Sequence, residues 1–216
     1  MAPRPRTVSD AEILRATAEV IGRVGPHRLT LADVGAEAGL SAAALVQRFG
    51  SKRQLLLRLT SGEGVEVEDG LASMLARGDS PLTALVDAMA CFGRMARTPE
   101  EMANHLAFLQ MDLSDPDFHR NARAHFDATL FATVAQLEAS IAAGELVSTE
   151  TQALARAVYS VTSGALLNWA IHREGTAEAS IRSELEVLLG PYRVKAAGSD
   201  TEGRGSGEVG AGRRVP

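Results

Sequence analysis

TLADVGAEAGLSAAALVQRFGSKRQLL, residues 30–56 of this 216-residue chain, sets one glycine between two short helical patterns, and its reading decides the fold. Thr30 is followed three positions later by Asp33, a looser form of the box in which a cap hydroxyl and an acid bond reciprocally to each other's backbone. Leu31, Val34 and Ala38 then lie along one helical face. Gly39 ends this helix, because the chain must turn through a left-handed conformation that a Cβ would penalise. Leu40 fills the space beneath the turn and Ser41 caps the next helix, whose Leu45 and Phe49 return to the core at four-residue spacing. Ala42, Ala43, Ala44, Gln47 and Arg48 are left facing outward. Two helices joined in this way form a helix-turn-helix, whose second helix enters the major groove of DNA. Ser51 opens a fourth helix, so its free N–H groups and Lys52 converge where a phosphate would lie.

Outward from this stretch, the same start signals recur at Ser9 with Glu12, Ser51 with Gln54, Thr98 with Glu101 and Thr149 with Gln152. Pro81 and Pro99 follow Ser80 and Thr98, where a first helical residue lacks its N–H at no cost. Apolar residues repeat at three and four in Ile13, Ala16, Val20, Val24 and again in Leu154, Ala157, Val158, Val161, Ala165. Asp69-Gly70 follows a short Val65/Val67 alternation, but no partner strand comes after it. The expectation is an all-α protein. Three short helices fit between Ser9 and about Phe49, and a fourth runs from Ser51 to about Leu59. Longer helices start near Glu63, Pro81, Pro99, Pro116, Thr149 and Ser180. Residues 1–8 and 196–216 are expected to be disordered, the second because six glycines and no aromatic residue leave nothing to pack. Residues 9–59 form a DNA-binding domain and residues 60–195 a larger helical one.

Composition bounds the function. With 45% hydrophobic residues the chain is globular, and no apolar run approaches the ~20 residues of a membrane span. The start MAPRPRTVSD lacks the apolar stretch of a signal peptide, so a cytoplasmic protein with no membrane partner is expected. A single cysteine, Cys91, cannot close an internal disulfide and makes a cysteine-built metal site implausible; it reads as core, with a reactive thiol as the alternative. No metal or cofactor is expected. Net charge is −5, yet residues 1–60 hold nine Lys/Arg against five Asp/Glu while the rest hold thirteen against twenty-two. A phosphate-binding surface therefore belongs at the N-terminus.

Thr30-Leu31-Ala32-Asp33-Val34-Gly35, Ala38-Gly39-Leu40-Ser41, Phe49 and Ser51-Lys52-Arg53-Gln54-Leu55 resemble the tetracycline-repressor (TetR) family. The resemblance covers about residues 9–59, with later helices similar in order and length. It implies a homodimer on a palindromic operator, with Thr30, the outward face of the second helix and Lys52 on DNA. The family usually carries a phosphate-binding tyrosine where this chain has Val46, so that contact is absent or replaced by Arg48. Among the candidate DNA-binding residues Arg28, Thr30, Ser41, Ala42, Ala43, Ala44, Val46, Gln47, Arg48, Ser51, Lys52 and Arg53, Gln47 is placed to pair with adenine or to face the backbone. The alanines offer methyl contacts to thymine. Arg28, Thr30, Arg48, Lys52 and Arg53 are expected on phosphates. The alternative is a solvated basic face around a three-helix core.

The larger domain has no comparable motif. Phe92, Met95, Met102, His105, Phe108, Leu109, Met111, Phe126, Trp169 and His172 are flexible or aromatic side chains spread over several helices, a set suited to a ligand cavity or simply to a core. The resemblance implies an inducer pocket for a small apolar or aromatic ligand, and a four-helix dimer interface built from the last two long helices. The function expected is a ligand-released repressor. One alternative is a DNA-binding regulator with no small-molecule inducer. Another is a helical enzyme built on His105, His119, His125, His172, Asp112, Asp115 and Asp117, which the spacing does not support: there is no HExxH and no calcium loop.

Overall fold

The computed structural model describes residues 8–61 and 80–194, all in helices and short connections, with no strand among them beyond an isolated bridge between Leu146 and Arg193. The expected helix near Glu63, the Val65/Val67 stretch, residues 1–7 of the arm and the 196–216 tail lie outside the described residues.

Nine α-helices are described. In chain order they are α1 (Asp10–Arg28), α2 (Leu31–Ala38), α3 (Ala42–Phe49), α4 (Lys52–Thr60), α5 (Pro81–Cys91), α6 (Pro99–Ser114), α7 (Pro116–Ala142), α8 (Thr151–His172) and α9 (Ala177–Leu189). The reciprocal boxes at Ser9/Glu12 and Thr30/Asp33 both form, and Ser51 and Thr98 cap α4 and α6. Two starts differ from expectation. Glu150, not Thr149, caps α8 by accepting from Ala153 N at 2.7 Å, because a carboxylate one residue on reaches the same free N–H groups. α9 starts at Ala177 rather than near Ser180: Gly175 turns left-handed (φ 65°) and presents Thr176 as the cap, leaving Ser180 inside the helix.

α1 is bent at Gly25, whose φ of 76° is left-handed; Pro26 disfavours helical backbone at the residue before it. Asn104 of α6 donates to Gly22 O at 2.7 Å, so α1 lies against the helical body along this bend.

Two apolar cores result. One, within α5–α9, contains Leu85, Leu137, Val158, Ile181 and Leu185 among others. The second gathers Ile13, Leu14, Val34, Leu45, Phe49, Leu55 and Leu56 from α1–α4 and also Phe118 from α7, with Phe108 and Met111 of α6 packed against it. The N-terminal module thus completes its core with side chains from the body.

Candidate nucleic-acid interface and its attachment to the body

The turn between α2 and α3 is made by two glycines with different tasks. Gly39 holds φ 69°, ψ 31° at the end of α2, and Leu40 N donates back to Gly35 O at 2.8 Å. Gly35 itself is helical, but a Cβ there would stand 2.6 Å from Leu40 O, so only a hydrogen fits where the chain doubles back. Leu45 and Phe49 anchor α3 inward at 0% and 6% exposure. The opposite side carries Ala43, Val46, Gln47 and Arg48, all exposed, with Ala42 and Ala44 partly so. Ser41 caps this helix by accepting from Ala44 N at 3.1 Å.

The expected cations do not share one fate. Lys52 is at the N-terminus of α4, and one of its N–H groups donates to His27 O at 3.0 Å; partial burial holds its ammonium below the usual lysine range. Its charge therefore sits at the C-terminal end of α1, and Thr30 and Ser51 are exposed helix starts. Arg28 is exposed and its Nε donates to Val24 O at 2.8 Å. Arg48 is pulled the other way. It pairs with Asp10 and donates to Val8 O at 2.6 Å, so its guanidinium fastens α3 to the start of α1.

Arg53 takes a different set of partners. Expected on phosphate, it turns to the α6–α7 corner, where its Nη2 meets Asp115 and Asp117 at 2.9 Å and its guanidinium lies 5.6 Å from the centre of the Phe118 ring. Two carboxylates and an aromatic face satisfy a cation better than a solvated surface does. Hydrogen bonds from Arg53 hold both acids below the ordinary carboxylate range, so the clamp is fully charged at neutral pH. Asp115 also caps α7, accepting from Asp117 N. Asn121 adds a bond of 3.1 Å to Leu57 O. The corner thereby grips α4 at several points.

The expected pocket set is dispersed. Met102 and Trp169 are core residues, Phe92 packs on the same core, and Trp169 Nε1 donates to Gly175 O. Phe108 and Met111 belong to the N-terminal core instead. Met95 and Leu109 are 42% and 47% exposed and His172 is exposed as well, because their helix positions face away from both cores. His105 is half-buried near Gly22 at the α1–α6 contact, where burial lowers its basicity. Phe126 meets Tyr159 edge to face at 4.7 Å. Two surface clefts among the described residues, of about 350 and 230 Å³, are lined by other side chains. Asp112, whose Oδ1 is buried without a hydrogen-bond partner, and Tyr159, packed on Phe126, drew no attention in the sequence as ligand-facing residues.

Residues 13–59 match a family described as bacterial regulatory proteins, tetR family. The HTH-type transcriptional regulator BetI of Agrobacterium fabrum is 34% identical over 99 residues, 44% of this chain and 47% of that protein, so the match spans about half of that relative's length. A TetR transcription regulator from Haloarcula marismortui has the same fold with a TM-score of 0.69, at 17% identity over 86% of this chain and 98% of that one. A Saccharomonospora viridis protein described as a transcriptional regulator, solved in complex with choline, gives a TM-score of 0.65 at 17% identity, covering 87% of this chain and 98% of that chain.

Proposed function

We propose that the chain is a TetR-type regulator, a repressor that binds a palindromic operator as a homodimer and leaves it when a small molecule occupies the helical body. The observation that carries the DNA-binding part is α3 itself: a helix anchored by Leu45 and Phe49 that turns an exposed Ala43, Val46 and Gln47 outward beyond a tight glycine turn. Small side chains let the helix approach base edges closely, and Gln47 supplies the one amide able to pair with adenine. Thr30, Lys52, Arg28 and the N–H groups after Ser51 hold phosphates at the two exposed helix starts. Arg48 and Arg53 make ion pairs within the chain, with Asp10 and with Asp115 and Asp117.

For the dimer, α8 and α9 carry the exposed apolar side chains Leu167, Ile171 and Val187, and Gly164 leaves open space one turn before Leu167. A patch of this kind on two adjacent helices suits self-association about a two-fold axis. Two α3 helices then face half-sites about one helical turn, ~34 Å, apart. Release follows if a ligand moves the α6–α7 corner: Arg53 and Phe118 carry the shift to α4, and a few ångströms spoil the spacing. The choline-bound relative illustrates that this fold accommodates a small molecule.

The dispersal of the expected lining residues favours a second reading, a regulator whose release is governed by something other than a small molecule. Thermal stabilisation across a compound library separates them, since selective binding to the folded state raises the melting point.

The DNA contacts are tested by two substitutions. Lys52→Ala should weaken binding to all sequences and flatten its salt dependence by about one ion, whereas Gln47→Ala should relax preference at one base pair, worth about 1–3 kcal/mol. Fluorescence anisotropy over a salt series and a set of operator variants reads both. An equal loss on every sequence for Gln47→Ala would refute its base-reading role.

A further inference from the structure

We propose that Asp112, Tyr159 and Phe126 mark a site for an organic cation with an apolar or aromatic body, the charged head at Asp112 and the body along the two rings. The inference rests on the ligand-responsive reading and names the chemistry of that ligand.

The three residues come from three neighbouring helices: Asp112 from α6, Phe126 from α7 and Tyr159 from α8. Asp112 Oδ1 is buried and has no hydrogen-bond partner. Buried acceptors are normally satisfied, and one left without a donor points to a missing group. Burial pushes the Asp112 carboxyl up to about 6, with His119 of α7 pulling in the other direction. The charge of Asp112 also reaches Tyr159, whose phenol it raises together with burial. Beyond that phenol, the edge-to-face contact with Phe126 presents aromatic surface.

An incoming cation satisfies each of these groups. It supplies the opposite charge that the carboxylate lacks and finds the negative faces of the rings, while an anion would be repelled by Asp112 and a neutral molecule would leave its charge uncompensated. Asp112 also stands three residues before Asp115, about one helical turn from the corner that grips Arg53. Occupancy at Asp112 is therefore felt within a turn of the element that positions α4.

The test uses phenyltrimethylammonium and its uncharged isostere tert-butylbenzene on the full chain, in the wild type and in Asp112→Asn, by calorimetry and thermal shift. The cation should stabilise the wild type and bind Asp112→Asn about tenfold or more weakly, with tert-butylbenzene weak in both. Asp112→Asn should also melt at or above the wild type at about pH 7.5, since it removes a charge that burial disfavours. That difference should narrow as the pH falls below about 6, where the wild-type carboxyl takes up its proton. Tyr159→Leu provides a second variant with the carboxylate retained, and should also weaken the cation. Undiminished cation binding by Asp112→Asn, or equal binding of the two isosteres by the wild type, overturns the proposal. If neither isostere binds but other compounds stabilise the protein, the cation site falls and ligand response stands; if no compound of any charge does, both fall.

Discussion

Gly35→Ala should abolish operator binding while leaving the α5–α9 body folded. The added methyl group would sit 2.6 Å from Leu40 O, and the atoms nearest to it are backbone, which cannot swing aside as a flexible side chain can. Relief requires α2 and Leu40 to separate. That would break the 2.8 Å bond from Leu40 N to Gly35 O and change the angle at which α3 leaves the turn. Overpacking of this kind destabilises by about 1–3 kcal/mol, and here all of it falls on one turn. Gly39→Ala is the informative comparison, since open space surrounds that position and only its left-handed φ of 69° opposes a side chain. It should lower stability by about 1 kcal/mol and keep binding measurable. Electrophoretic mobility shifts with denaturant melts of both variants would decide; tight operator binding by Gly35→Ala would contradict the packing described for the turn.

Phe118→Ala should give the largest loss of stability in the N-terminal module, about 3–5 kcal/mol, although the residue lies far outside residues 13–59. Phe118 is 1% exposed, packs within the α1–α4 core, meets Phe108 edge to face at 5.8 Å and lies under the Arg53 guanidinium. Truncation would open a cavity beneath α4 and remove the surface on which Arg53 rests. Denaturant unfolding should show the loss together with an early transition of the N-terminal helices, visible by hydrogen exchange. A change below about 1 kcal/mol would mean that the module does not depend on the body for its core.

The helix-turn-helix was legible in the sequence because its determinants are local. Thr30 and Asp33, Gly39, Ser41 and Ser51 each act within four residues, and the 3.6-residue spacing of Leu45 and Phe49 fixes which side of α3 faces inward. The same local rules erred by one residue at α8, where Glu150 takes the cap in place of Thr149, and by about a turn at α9, where Thr176 is the cap and Ser180 lies inside the helix.

The fate of the arginines was not legible. Arg53 finds Asp115 and Asp117 across more than 60 residues of sequence, and Arg48 reaches 40 residues back to Val8. Spacing along the chain carries no signal for such pairs, so a basic cluster at residues 48–53 reads as a phosphate surface although two of its three cations are ion-paired within the chain. The placement of the aromatic and methionine residues of the body was not legible for a related reason: helical spacing marks a side chain as inward without saying which of two cores receives it. Phe108 and Met111 went to the N-terminal core, while Met102, six and nine residues earlier on the same helix, went to the other. No helix among the described residues is long and apolar enough to cross a membrane.

The central claim is that α3, set by the glycine turn, reads a two-fold symmetric DNA site. Selection of bound fragments from genomic DNA by the purified chain, followed by footprinting, tests it most directly. The account predicts enrichment of a few fragments that share an inverted repeat with half-site centres about 10 base pairs, or a multiple, apart. Fragments enriched no further than random sequence, or a protected site without two-fold symmetry, would contradict it.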